Sequence, residues 1–582
     1  MSTMNNINQD HLEKGPGDDC TTENQLEDSK LEVVPTHDDL HLNNELAYKG
    51  DDSDGKVSWT VRRFIAAFCL CTLYTSSQIM MYYIGATLSY VQADLHNFGS
   101  ASWLPVSNTL AVAASAPFSG YLQDLLGRRN ITLLGLIVVM VGIVIAGTAH
   151  QFGQAVAGLA ISGVGAGICE LSSMAGLSDI FPVKHRGYAL AMMACGIIPI
   201  IPYVLYCQVL ASRATWRWTQ WISLIWNGVV FIGLVFCYFP QNHPRMEGFS
   251  RRRILRNLDY IGAVLSITGI TLMLVALSAG GYSHAWASAY VLCQFIIGIF
   301  LLAAWVVWEI KFAKFPMLPK VLFQGQRVVG LIFILSFVAG MTFYSIVNFL
   351  PLLYQAVFSP DPVQVGLRSL AYGVLTTVAT ISFTALISTK LGARYVLLTG
   401  FILMTTFAGS MASVTPDNLA LAVALGGLCG FGSGSITVPS STVALMAVPD
   451  SLLATTAAWT LSLRTIGGSF GYTIYYNIFR NKLTKVLPKY IAEYAIAAGL
   501  PPKDAEAFVI TFLTKPEEIA TAVGFSPAIA EAATLGDRWA YAYSLKYVWF
   551  TSIAFGSVAV ITCLFVPSVK KYKTNRVAVY MG

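Results

Sequence analysis

The chain is short of charge. Asp, Glu, Lys and Arg make up only 12% of its 582 residues, while hydrophobic residues make up 55%. That is about half the charged share of a soluble domain, too little to clothe a globular surface, so lipid has to be the main solvent. Histidine is missing from the apolar runs, because all eight fall in polar stretches, and this argues against a transmembrane haem. Nine of the ten cysteines lie inside apolar runs and only Cys20 lies outside them, so there is neither a disulfide framework nor a zinc spacing, and no metal site is expected. No Gly-x-x-x-x-Gly-Lys-Ser/Thr loop occurs, which excludes ATP-driven transport on this chain. Without His-Glu-x-x-His or Gly-x-Ser-x-Gly motifs, nothing supports an enzyme, and no cofactor is expected. A pore-loop sequence and repeated rings of charge are also absent, which disfavours a selectivity-filter channel. The chain does not open on a basic region, a short apolar run and a small-residue cleavage site, so the first hydrophobic helix is expected to act as the signal anchor.

What charge there is lies unevenly. The first sixty positions hold 14 of the 31 acidic residues against four basic ones, which leaves 33 Lys and Arg against 17 acids in the remainder. Residues 1–60 are polar and almost free of aromatics, so they cannot bury enough apolar surface to fold alone and read as a disordered cytoplasmic tail.

The remainder carries fourteen apolar runs of about 20 residues, the length that crosses a hydrocarbon core. They begin near Phe64, Trp103, Ile131, Gln154, Gly187, Thr219, Asp259, Ala287, Val328, Leu367, Tyr395, Leu419, Thr456 and Leu545. Arg128 and Arg129, Lys184 and Arg186, Arg251 to Arg253 with Arg256, Lys311, Lys314 and Lys320, and Lys390 with Arg394 all follow even-numbered spans. Lys and Arg concentrate on the cytoplasmic side, so both termini are expected there, in agreement with Lys570, Lys571, Lys573 and Arg576. Asn130-Ile131-Thr132 is a glycosylation sequon in form, but this orientation makes it cytoplasmic. The expected fold class is an all-α polytopic membrane protein with fourteen transmembrane helices.

An internal repeat appears at an offset of 265 residues, where Gly120, Gly127, Arg129 and Gly135 meet Ala385, Gly392, Arg394 and Gly400, and Gly165 and Gly167 meet Gly430 and Gly432. Generic helix packing also favours small-residue spacing. The coincidence of a loop motif and a helix motif at one offset favours duplication, in a six-plus-two-plus-six plan. The expected domains are 61–240, a six-helix bundle; 241–327, a basic loop with two inserted helices; 328–567, a second six-helix bundle with a long extracellular loop at 480–546; and 568–582, a basic cytoplasmic tail.

The loop Gly120-Tyr-Leu-Gln-Asp124-Leu-Leu-Gly127-Arg128-Arg129 combines a glycine turn, an acid able to face a helix N-terminus and arginines that pair with acids or headgroups. It resembles the signature loop of the major facilitator superfamily. The resemblance implies the major facilitator fold, two repeats flanking a midplane substrate site, and a cytoplasmic latch made by Gly120, Asp124, Gly127, Arg128 and Arg129. The second copy has Thr389 in place of the acid.

Ile161-Ser-Gly-Val-Gly-Ala-Gly-Ile-Cys-Glu170-Leu, Lys184-His-Arg-Gly-Tyr188, Thr215-Trp-Arg-Trp218 and Ser462-Leu-Arg464-Thr-Ile-Gly-Gly-Ser-Phe-Gly-Tyr472, continuing to Asn477, are similar to fungal fourteen-helix drug-proton antiporters, in particular trichothecene efflux pumps. The likeness runs from about Arg62 to Pro567. It departs from that pattern at Leu159, where many antiporters carry an arginine, and at Gly196-Ile-Ile-Pro199-Ile-Ile-Pro202, a reduced form of the fifth-span signature.

Glu170 in the fourth span and Arg464 in the thirteenth are the charges deepest in the membrane, each within a turn or two of the midplane at about 1.5 Å per residue. Intramembrane ionisable groups are costly and mark ion pathways, so the two are the candidates for proton coupling; a structural role in a helix–helix network is the alternative for each. By the family plan, Gln78, Tyr82, Tyr83, Tyr203, Tyr206, Tyr344 and Asn348 line the cavity, although tyrosines near helix ends also serve as interface anchors. Such a lining suits amphipathic organic molecules. Pro199 and Pro202 should bend the fifth span.

The expected function is proton-coupled efflux of a small organic toxin, drug or mycotoxin by alternating access. Siderophore-iron uptake on the same architecture and a non-transporting nutrient sensor are the alternatives. The expected partners are a small-molecule substrate, protons and the lipid bilayer, without nucleic acid, for a monomer in the plasma membrane or, alternatively, in a vacuolar or other endomembrane.

Overall fold

A computed structural model describes residues 60–96, 103–240, 256, 258–281, 284–323, 327–514 and 526–574. The acidic tail before position 60, the basic run Arg251 to Arg253, and Arg576 lie outside the described residues.

Everything of length is helical: α1 (Val61–Ala86), α2 (Trp103–Leu126), α3 (Arg128–Gly147), α4 (Phe152–Ile180), the broken α5 (Val183–Arg213), α6 (Arg217–Cys237), α7 (Tyr260–Ala279) and α8 (Ala289–Lys311). They are followed by α9 (Val328–Leu353), α10 (Pro362–Ser388), α11 (Ala393–Ser410), α12 (Leu419–Met446), α13 (Leu453–Ala497) and α14 (Pro527–Leu564). Local chemistry sets several starts. Thr60, Asp259, Ser288 and Asp361 each accept a backbone N–H of the helix they precede, and Pro362 stands at the first position of α10, where its missing donor costs nothing. Between α2 and α3 the chain turns on Gly127 with φ at 92°, a conformation that an L side chain resists.

Among the described residues, twelve helices are long and apolar enough to cross a membrane. α2 and α13 are not among them, for a physical reason: α2 and the first half of α13 carry polar residues that are buried inside the protein. α2 buries Asn108, Ser115, Ser119, Gln123 and Asp124 against α4 and α13, so it needs no lipid-compatible exterior. The lipid-compatible faces are elsewhere, as at Ile225, Val229 and Phe236 on α6 and Ile296 and Phe300 on α8, all exposed.

The helices pack as two bundles, α1–α6 and α9–α14, which meet along α2 against α13 and α5 against α10. Small residues set the close crossings. A Cβ on Gly120 would lie 2.5 Å from the Ala458 Cβ and 2.6 Å from the Ala454 carbonyl oxygen, so α2 crosses α13 almost in backbone contact. The contacts of the glycines correct the expected pairing of Gly165 with Gly430 and of Gly167 with Gly432. Gly163 abuts α2 and Gly165 abuts α3, whereas Gly430 abuts α10 and Gly432 abuts α11, so α4 and α12 correspond at an offset of 267 rather than 265.

The pair α7–α8 packs on itself and on the α2–α13 seam, where Leu110, Ala113, Ile270, Leu274, Leu277 and Ile466 form one apolar cluster. Polar ties fix it there. The Thr473 hydroxyl donates to the Leu277 carbonyl at 3.1 Å, the Trp286 indole to Asn477 Oδ1 at 3.1 Å, and Trp305 stacks on Trp459 at 5.3 Å. One of the two seams between the bundles is thereby plugged.

The stretch 480–546, expected as a loop, is mostly helical. α13 has 45 residues, a length of about 68 Å that exceeds a hydrocarbon core of roughly 30 Å by more than twofold. Its distal part, a helix at Ala505–Thr514 and the start of α14 enclose a small core of Ile491, Ala495, Phe508, Ile529 and Ala533. Tyr543 and Tyr547 pair at 2.9 Å near Lys482 and Lys546, an arrangement typical of a membrane–water boundary.

Candidate functional site

Two side-chain networks join the bundles, one at the centre and one at an end. At the centre Glu170 on α4 accepts from Arg464 Nη2 on α13 at 2.6 Å, and its second oxygen accepts from Gln78 Nε2 on α1 at 2.9 Å. Glu170 and Arg464 are 4% and 5% exposed, so the pair has left water almost completely. Desolvating two charges is repaid only by good geometry and satisfied neighbours. Here that repayment is partial, because Arg464 Nε and Nη1 are buried without a hydrogen bond of good geometry. Tyr74 and Tyr344 stand beside the guanidinium. The pair ties α4 of the first bundle to α13 of the second, with Gln78 of α1 as its third member.

Next to it lies a cavity of about 130 Å³ walled by α1, α5, α9, α10 and α12. Tyr74 borders both the cavity and the ion pair. Tyr82 and Tyr203 stack at 5.0 Å on one wall, and Tyr372, Thr376 and Thr380 place hydroxyls along the facing stripe of α10. Among the described residues, no charged side chain lines it.

The seven cavity candidates separate. Tyr82 and Tyr203 line the cavity, Gln78 sits on the Glu170 carboxylate, and Tyr344 neighbours Arg464. Tyr83 packs with Ile79, Ile200 and Cys207 inside the first bundle. Tyr206 is 44% exposed on an outer face, and Asn348 turns its amide to the Tyr344 carbonyl. Sequence reading missed Tyr74 and the α10 hydroxyls. Both carried a signal: Tyr74, Gln78 and Tyr82 recur every fourth residue, as do Tyr372, Thr376 and Thr380, and such a spacing puts each set on one helix face.

The second network closes one end. Asp124 accepts from the backbone N–H of Ala454 and Thr455, at 3.3 and 2.8 Å, and from the Thr455 hydroxyl at 2.7 Å, capping the start of α13 across the bundle interface. Arg128 pairs with Asp179, lies 3.7 Å from Asp124, and donates to the Asp450 carbonyl at 3.3 Å. Arg186, fully buried, donates to the carbonyls of Ser178 and Leu445 and, at 2.9 Å, to the Asp450 carboxylate. Asp450 is therefore the hub between the halves. Arg129 is not part of this network; it bonds the Val235 carbonyl at 2.9 Å and stacks on Phe239, which Arg62 also covers, all within the first bundle.

The degenerate second loop is served differently. Lys573 donates to the carbonyls of Ile387 and, at 2.8 Å, Thr389, capping the end of α10 where the acid is missing. The next residue, Thr574, accepts from Lys184 N at 3.1 Å, so the C-terminal segment straps the two bundles together. Burial, with Lys570 nearby, pushes the Lys573 ammonium below the usual lysine range.

At the opposite end the Thr215–Trp218 motif ties the α1–α2 connection down, since Asp94 accepts from the Trp216 indole at 3.1 Å and pairs with Arg217 at 2.9 Å. Burial raises the Asp94 carboxyl, but the Trp216 bond and Arg217 outweigh it and leave the pKa below the ordinary carboxylate value.

A model of the Major Facilitator Superfamily matches residues 68–472. Similar chains include an Acurin A biosynthesis cluster MFS-type transporter of Aspergillus aculeatus, 26% identical over 83% of this chain and 85% of that one. The efflux pump FUS6 of Gibberella moniliformis is 26% identical over 83% and 84%, and the MFS-type efflux pump LUC4 of a Fusarium species 27% over 83% and 84%. Among solved structures, the proton:xylose symporter XylE superposes with a TM-score of 0.52 at 12% identity, over 87% of this chain and 97% of that one.

Proposed function

The chain belongs to the major facilitator superfamily, a family of transporters, and on that premise we propose that it exports a small organic molecule in exchange for protons by alternating access. The observation that carries this reading is the Glu170–Arg464 pair, buried at the crossing of the two bundles and bordered by a tyrosine that also lines the cavity. Proton uptake at Glu170 breaks the ion pair that ties α4 to α13 at this depth, and so links protonation to the relative position of the bundles. Relatives named as efflux pumps support the export direction.

In this reading α2 and α13 also cross the bilayer, giving fourteen spans in a six-plus-two-plus-six plan with both termini cytoplasmic. The closed end, which carries Arg128, Lys184, Arg186 and Lys573, is then cytoplasmic, and the conformer is outward-facing. The latch capped by Asp124 favours that state. The uncharged cavity wall fits an amphipathic organic substrate better than a ferric siderophore, whose polar iron-binding groups would meet no ionic partner. The plasma membrane is the proposed site of action.

The test is a deletion strain exposed to a panel of uncharged organic toxins beside labelled ferric siderophore. Export predicts toxin hypersensitivity reversed by the wild-type chain, with unchanged siderophore uptake; the opposite pattern contradicts it.

A further inference from the structure

α5 is the least regular long element of the fold. Its first helix ends at Cys195, a 3-10 turn occupies Ile198–Ile200, and the helix restarts at Tyr203. Pro199 and Pro202 lack the N–H that would continue the ladder, and Ile197, Ile200 and Ile201 hold on through single bonds to the residue three before. The residues of this break face two different spaces. Ala194, Ile197, Ile200 and Ile201 line the central cavity, whereas Met192, Cys195, Gly196 and Pro199 line a groove of about 590 Å³ between α1, α5 and α6. The groove is walled by Phe64, Phe68 and Trp226, and among the described residues no charged one lines it. Met192, Phe64 and Phe68 are exposed on the lipid-facing surface. The broken segment is therefore a wall one backbone thick between the hydrocarbon phase and the transport cavity.

We propose that this groove is a vestibule in which an uncharged, bilayer-dissolved substrate binds before passing through the segment Gly196–Pro202 into the central cavity. The proposal rests on the export reading and adds the substrate's chemical class and its route. Three observations support it. Both sides of the wall are apolar, so an uncharged molecule crosses without the desolvation cost that a charged one would meet. The wall is the one stretch of α5 without continuous helical hydrogen bonds, so opening it breaks few of them. Neighbouring residues of the wall face opposite sides, Ala194 and Ile200 the central cavity and Cys195 and Pro199 the groove, so no second layer of side chains separates the two spaces.

The experiment uses the full chain in proteoliposomes with N-phenyl-1-naphthylamine, an uncharged fluorophore that partitions into bilayers, within a panel of uncharged probes. Cys195→Trp and Met192→Trp fill the groove; Val229→Trp places the same bulk on the lipid face of α6. The groove variants should raise KM for export from the membrane about tenfold, while equilibrium binding of probe offered to the outward-open cavity stays within about twofold of wild type. Val229→Trp should change neither. An unchanged KM in both groove variants overturns the vestibule, as does a rise in KM matched by an equal loss of outward-side affinity, which would report a distorted cavity. A shift in thermal stability alone, with KM unchanged, would assign the groove to a structural lipid chain and also overturn it. Failure of the wild-type chain to move any uncharged probe would sink the export reading itself, which separates the two failures.

Discussion

Replacing Glu170 by Gln removes a charge while keeping the side chain's shape, and the structure says what that leaves behind. Arg464 loses the carboxylate 2.6 Å from its Nη2, with Nε and Nη1 already buried without a hydrogen bond of good geometry. Breaking a buried pair by neutralising one partner costs about 3–5 kcal/mol, against a total stability of about 5–15 kcal/mol for a typical fold. The variant should therefore fold, with a lowered melting temperature. The substituted amide still accepts one hydrogen bond from Arg464, and rotation of the Gln78 amide keeps the third member of the cluster engaged. The group that alternates between charged and neutral is gone. In inside-out proteoliposomes, normalised to folded protein, Glu170→Gln should exchange substrate down its gradient yet fail to accumulate it when the lumen is acidified. The double variant Glu170→Gln/Arg464→Gln buries no charge and should recover most of the lost stability without recovering accumulation, which separates folding from coupling. Accumulation by Glu170→Gln at the wild-type level under an imposed pH gradient would refute the reasoning.

Asp124→Asn keeps an acceptor for Ala454 and Thr455 but loses the charge at the start of α13, a change of about 1–2 kcal/mol or roughly 5–30-fold in the conformational equilibrium; cysteine-accessibility reporters should show the cavity shifting toward the inward-facing state. Arg129→Ala, which acts within one bundle, should leave that equilibrium within about twofold of wild type and instead lower thermal stability. Lys573→Ala removes the cap on α10 and loosens the strap to Lys184, worth about 1 kcal/mol for a part-exposed lysine, so inward-facing reporters should rise roughly fivefold while surface expression holds. Deleting residues 2–50 should spare transport, because an acidic segment with so little apolar sequence has little to bury against helices; loss of transport by a deletion variant still displayed at the cell surface would favour the sensor reading.

How much of this is readable from sequence depends on range. Helix periodicity and loop charge are local, so the long apolar elements and the position of Glu170 and Arg464 deep within their helices can be read residue by residue. That the two meet, and that Gln78 joins them, depends on how α1, α4 and α13 cross, which no local pattern encodes. The same limit hides the closing network: Arg128, Arg186 and Asp450 come from separate connections, and only the three-dimensional crossing makes Asp450 the hub that both arginines reach. Arg129 falls outside the latch because adjacent arginines at a helix start point in different directions, and Tyr83 falls outside the cavity because it lies one position from Tyr82 and so about 100° around the same helix. The stretch 480–546 reads as a loop because its mixed charge breaks the hydropathy signal, whereas its core residues Ile491, Ala495, Ile529 and Ala533 recur at helical spacing.

The most direct measurement of the central claim is simultaneous recording of proton and substrate flux in proteoliposomes of the wild-type chain. The account predicts that substrate moving into inside-out vesicles carries protons out, that an acidic lumen drives accumulation above equilibrium, and that collapsing the pH gradient with an ionophore abolishes it. Accumulation unaffected by the ionophore, or protons moving in the same direction as substrate, would contradict exchange against protons.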